Sequence, residues 1–121
     1  MKVFKEFLQK ENFRFEESSY GLHFSYQGAN FAIANNEKDP LYLQLVMPGI
    51  YEVNNDKIKV FEAMNRINGD KKAVKAFLVE DSVWMNIEMF IDSTPDLGDF
   101  FFRILDILHN ARQSFYSNMR E

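Results

Sequence analysis

Apolar positions begin the chain at helical spacing and then switch to alternation. Val3, Phe4, Phe7 and Leu8 fall at i, i+1, i+4 and i+5, one stripe of a short amphipathic helix. Lys2, Lys5, Glu6, Gln9 and Lys10 take its solvated side, and the helix should end near Glu11 or Asn12. From there the period is two. Phe13 and Phe15 alternate with Arg14 and Glu16; Tyr20, Leu22, Phe24 and Tyr26 alternate with Gly21, His23, Ser25 and Gln27; Ala29, Phe31 and Ile33 alternate with Asn30, Ala32 and Ala34. These predict short antiparallel strands joined by tight turns at Ser18-Ser19 and Gln27-Gly28. Asn35 to Pro40 reads as a loop, and Leu41, Leu43, Leu45 and Met47 as a further strand that Pro48-Gly49 breaks or bends.

The second half repeats the change of period. Asn54, Asn55 and Asp56 offer N-caps for a helix whose stripe is Ile58, Phe61, Met64 and Ile67, with Gly69 as its left-handed cap. Val74, Ala76 and Leu78 form one face of a strand, Glu80-Asp81-Ser82 a turn, and Val83, Met85, Ile87, Met89 and Ile91 the clearest alternation in the chain. Thr94 as N-cap and Pro95 at the first helical position predict a last helix, with Asp96 and Asp99 at the positive end of its dipole. Leu97, Phe100, Phe101, Ile104, Leu105, Leu108, Ala111 and Phe115 make its apolar stripe. The order α-β-β-β-β-α-β-β-α, with strands grouped rather than alternating with helices, predicts an α+β fold: a mainly antiparallel sheet with helices on one face. No repeat or linker interrupts it, so residues 1–121 read as a single domain.

Composition adds constraints. The 121 residues include 13 Phe, carry a formal net charge of -4 and contain no Cys. Without cysteine there is no disulfide, thiolate nucleophile or thiolate metal site. The acidic balance weighs against a general nucleic-acid binder, whose affinity comes largely from neutralising phosphates. The first residues lack the apolar core of a signal peptide, and no segment has the ~20 apolar residues of a membrane span. A cytoplasmic protein with no membrane partner is the expectation.

Chemical motifs are sparse. His23 and His109 have no His or Cys neighbour at ligand spacing, and Ser25 shares a strand face with His23 without a third partner. The five glycines match neither a phosphate loop nor a dinucleotide fingerprint. Arg66, Lys71, Lys72 and Lys75 form the most basic stretch, which reads as a solvated helix-to-strand connection. No catalytic residue, metal or cofactor is expected. The surplus aromatics are more informative. Trp84 and Phe90 lie opposite the core face of their strand, and Tyr42 and Val46 hold the same relation to Leu41–Met47. Phe102 lies opposite the main stripe of the last helix, on a face shared by Asp106, His109, Gln113 and Tyr116. Tyr42, Trp84, Phe90, Phe102 and Tyr116 are therefore the candidate partner-interface residues.

One longer pattern carries a resemblance. The run NRINGDKKAVKAFLVEDSVWMNIEMFID, followed by a long apolar helix, resembles the YbjN-like bacterial proteins, which are labelled sensory transduction regulators and share the fold of type III secretion chaperones. Asn65, Ile67 and Asn68 fill the family's helix end, Glu80-Asp81-Ser82 its acidic hairpin turn, and the segment from Pro95 its C-terminal helix. LHFSYQGANFAIANNEKDPLYLQLVMPGIY is similar to its N-terminal sheet. The resemblance implies a small dimeric α+β domain that binds proteins and brings no catalytic residue with it. The expected function is thus a non-enzymatic protein-binding, chaperone-like or regulatory domain acting as a homodimer. The alternative is a small-molecule-binding domain with a pocket between sheet and helices, lined by Tyr20, Tyr26, Tyr42 and His23.

Overall fold

The computed structural model describes residues 1–121. Helix α1 (Lys2–Lys10) leads into strands β1 (Phe15–Glu17), β2 (Gly21–Tyr26), β3 (Ala29–Ala34) and β4 (Tyr42–Glu52). Helix α2 (Lys57–Asp70), strands β5 (Val74–Val79) and β6 (Ser82–Phe90), a 3-10 turn at Leu97–Asp99 and helix α3 (Phe101–Met119) follow. The strands form one antiparallel sheet in the order β1-β2-β3-β4-β6-β5. This is the α+β fold and the element order that the periodicity predicts. No helix is long and apolar enough to cross a membrane.

The alternation sets the layers. Leu22, Phe24, Phe31, Ile33, Leu43, Leu45, Met47, Val83, Met85 and Ile87 point to one sheet face and join a single buried cluster with all three helices. Into it α1 contributes Phe4, Phe7 and Leu8, and α3 contributes Phe101, Ile104, Leu105, Leu108, Ala111 and Phe115. The helices cover that face and leave the other without one. Between β2 and β3 the turn is as expected: Gln27 and Gly28 both take positive φ, at 50° and 78°, the mirror-image turn whose twist matches a hairpin. Pro48-Gly49 bends β4 rather than ending it. Gly49 sits at φ 55°, and the register with β6 shifts between Met47 and Tyr51.

Three helical expectations need correction. The buried stripe of α2 is Val60, Ala63 and Ile67, whereas Ile58 is 76% exposed and Phe61 44%. The helix is rolled so that small Ala63 faces the layer where α2 meets α3 and β5. Gly69 is not a left-handed cap; it lies inside the last turn, α2 ends through Lys71 in an extended conformation, and Ala73 takes the positive φ of 66°. The last helix does not begin at Thr94-Pro95. Leu97–Asp99 makes a separate 3-10 turn, and Phe100, at φ -137°, breaks the path before α3 starts at Phe101. Gly98 weakens any continuous helix there, and Leu97 and Phe101 are buried on either side of the break.

At the end of α2, Asn68 acts on the sheet. Its side-chain oxygen accepts from the Ala76 amide at 2.7 Å, and its side-chain nitrogen donates to the Ala76 carbonyl at 3.1 Å. Strand β5 is an edge strand, and Asn68 supplies there the donor and acceptor that another strand would supply.

A candidate partner surface on the helix-free face

On the side away from the helices, one row of residues crosses the entire sheet in register. It runs Glu16, His23, Ala32, Val46, Asn86, Lys75, one residue from each strand in spatial order. Its middle is buried although no helix lies over it: Ala32 and Val46 are 0% exposed and Asn86 1%. The cover comes from aromatic rings. Tyr20, just before β2, and Trp84, on β6, have ring centroids 6.1 Å apart. Because β3 and β4 lie between β2 and β6, the two rings meet only by arching over those strands.

Local chemistry holds Tyr20 in this arch. Ser18 Oγ pairs with His23 Nε2 at 2.7 Å and accepts the Tyr20 amide at 3.2 Å. The Tyr20 carbonyl accepts the Asn35 amide at 2.7 Å. Gly21 is required by space: a Cβ there would sit 1.9 Å from the Ile33 carbonyl oxygen. Burial pushes the Tyr20 phenol up from its ordinary pKa. Phe77 of β5 extends the aromatic run, its ring 6.5 Å from that of Trp84.

Beside the arch lies a polar cluster. Tyr42 Oη donates to Glu88, Lys75 Nζ donates to Glu88 Oε1 at 3.0 Å, and Asn86 Nδ2 donates to the same oxygen at 2.8 Å. The Tyr42 hydroxyl and then Lys75 hold the Glu88 carboxyl below the usual carboxylate range. The same hydrogen bond, with burial, pushes the Tyr42 phenol up to about 12. At the end of the cluster Phe90 is 76% exposed, its ring 5.3 Å from that of Tyr42, and Leu41, in the turn just before β4, is also exposed.

Three of the five interface candidates, Tyr42, Trp84 and Phe90, therefore share this face. The other two do not. Phe102 lies in the helical layer, in an aromatic group with Phe7, Phe13 and Tyr26 at 5.9–6.3 Å. Its neighbours on α3 grip the hairpin: Tyr26 Oη donates to Asp106 Oδ1 at 2.9 Å, and His109 Nε2 pairs with the Gln27 carbonyl at 3.1 Å. Tyr116 is half-buried, donates to the Ile50 carbonyl at 2.6 Å, and accepts from Arg112 Nε at 3.1 Å. Alternation placed Tyr20 with Leu22 on the core side. The sequence signal against that was Gly21, a residue without a side chain between the loop and the strand.

A cleft of about 930 Å³ opens at the β1 edge of the sheet, walled by Arg14, Glu16, His23, Ser25, Asn30 and Pro48 of the outer face together with Phe13, Phe15, Phe24 and Phe31 of the core face. No residue of α1, α2 or α3 lines it, so it is not a pocket between sheet and helices. Of the basic stretch, Arg66 pairs with Glu121 at 2.6 Å and Lys75 with Glu88 at 3.0 Å.

No protein-family model and no curated protein matches the sequence. The architecture does have a counterpart. The crystal structure of YbjN from E. coli, described as a candidate transcription regulator, aligns with a TM-score of 0.71 over 94% of this chain and 87% of that one, at 13% identity. The chain has the YbjN fold. At so low an identity the likeness concerns architecture: the same succession of sheet and helices, which leaves one sheet face of the YbjN-like domain free of helices in this chain.

Proposed function

We propose that this chain is a non-enzymatic protein-binding domain of chaperone-like or regulatory type that acts as a homodimer through its helix-free sheet face. The observation that carries the reading is Phe90, 76% exposed and set against Tyr42 on a face that also presents Trp84 and Tyr20. Large rings cost free energy in water and are the residues that dominate interface energetics. The YbjN fold supports a regulatory or binding role, since the structural neighbour is described as a regulator. A cytoplasmic setting agrees with the lack of cysteine.

Sedimentation velocity over a micromolar concentration series tests the reading. The wild-type chain should be dimeric. Phe90→Asp should weaken the dimer by roughly thirtyfold, the effect of losing an interface anchor of about 2 kcal/mol. Its circular dichroism should be unchanged, because the ring is outside the core. A wild-type chain that stays monomeric at high micromolar concentration would refute the proposal.

A further inference from the structure

The row that crosses the helix-free face has opposite charges at its two ends. Glu16 stands on β1, one edge of the sheet, and Lys75 on β5, the other edge. Between them lie His23, Ala32, Val46 and Asn86, roofed in the middle by the Tyr20–Trp84 arch. Such a row is complementary to itself when turned end for end.

Two symmetric ways exist to lay two such faces together with the strands of both copies aligned. A two-fold axis running across the strands puts β1 over β1 and β5 over β5, so that Glu16 meets Glu16 and Lys75 meets Lys75. A two-fold axis running along the strands puts β1 of each copy over β5 of the other, so that each Glu16 meets a Lys75. Charge favours the second, since like charges brought together at an interface oppose association while opposite charges fix its register. The second arrangement has a further match one row away. Arg14 lies just before β1, two residues ahead of Glu16; Phe77 lies two residues after Lys75 on β5, and β1 and β5 run in opposite directions in the sheet. The rotation that pairs Glu16 with Lys75 therefore also brings Arg14 over Phe77, a cation over a ring face. Lys75 has donors to spare, because its ammonium carries three and Glu88 takes one.

Size agrees with this use. Six strands about 4.8 Å apart and about 20–25 Å long span on the order of 600 Å² in projection, near the ~800 Å² of accessible surface that each partner of a standard interface buries. Resting on the homodimer reading, we propose that two copies stack face to face about a two-fold axis parallel to the strands, with Glu16 of each copy against Lys75 of the other and the two Tyr20–Trp84 arches at the centre.

The test is charge reversal combined with cross-linking. By sedimentation velocity, Glu16→Lys and Lys75→Glu should each weaken the dimer at least tenfold. The double variant should recover to within about threefold of wild type. Lys75→Glu also places a second carboxylate beside Glu88 in its own copy, so a readout free of that effect is added. The chain has no cysteine, and stacked sheets lie ~10 Å apart, too far for a disulfide but within reach of a short bis-maleimide. Mixing Glu16→Cys chains with Lys75→Cys chains should give a cross-linked pair, while either variant alone gives little. If the wild type is dimeric but the double variant is no tighter than the singles, or Glu16→Cys links mainly to itself, the axis is wrong and the homodimer reading stands. A monomeric wild type removes both.

Discussion

Asn68 shows how one side chain does a strand's work. Its amide matches both backbone groups of Ala76 on the exposed edge of β5, at 2.7 Å and 3.1 Å. In sequence it is one of two asparagines near a glycine and looks like part of a helix end; nothing local says that its partner lies eight residues on, across the connection. Removing it should cost about 1–2 kcal/mol, the net value of two exchangeable hydrogen bonds at a partly solvated site. Asn68→Ala should therefore lower the urea midpoint and speed exchange of the Ala76 amide, while amides of β3 at the sheet centre keep their relative protection. Asn68→Asp keeps the acceptor for the Ala76 amide but sets an oxygen against its carbonyl, so it should be at least as damaging. Stability within about 0.3 kcal/mol of wild type for both variants would mean that water replaces the side chain without loss.

Elements were legible where one period dominates. The strands from Phe15 to Ala34 and from Val74 to Phe90 were readable because their large apolar residues keep one parity and face the core, even though β3 and the middle of β6 are buried on both faces. The outer face was readable only in part. Trp84, Tyr42 and Phe90 could be assigned to it by parity alone, but Tyr20 joins it through a loop whose path no alternation encodes. Helix α2 fails the reading for a different reason: it offers two apolar stripes. Ile58 and Phe61 continue to Ile67 by spacing as well as Val60 and Ala63 do, and only the close fit against α3 and β5 decides between them. Helix α3 fails at its start, where Thr94-Pro95 imitates a helix entry that Gly98 and the turn at Phe100 then cancel. The α2 assignment can be checked by substitution. Ile58→Lys should change stability by no more than about 0.5 kcal/mol, as for a surface position. Ile67→Ala, at 1% exposure, should cost about 2–5 kcal/mol. Chemical denaturation of the pair decides the matter, since the stripe read from sequence requires both to be costly.

At the scale of the whole molecule, the fold has a core built against helices and a second, thinner burial built from the sheet's own side chains. Ala32 and Val46 are small enough for Tyr20 and Trp84 to lie across them, and Gly21 lets the loop come close enough to deliver Tyr20. The arch thus couples the β1–β2 loop to β6 across two intervening strands, and it is the floor on which a partner would rest. Trp84 is the one tryptophan in the chain, so its emission reports this place alone. Tyr20→Ala removes half the arch and leaves the helical core intact. The emission maximum should move to longer wavelength as water reaches the indole. Stability should fall by about 1–2 kcal/mol, the loss of one ring, itself 40% exposed, and its aromatic contact. For a domain of this size that lowers Tm by roughly 3–10 °C. Gly21→Ala should produce the same red shift by displacing the loop, at a larger cost in stability, because the new methyl meets a backbone carbonyl rather than a side chain that can move aside. An unchanged Trp84 spectrum in both variants would mean that the indole is covered by something other than Tyr20, and the burial of Val46 would then have to come from Phe77 and the polar cluster around Glu88.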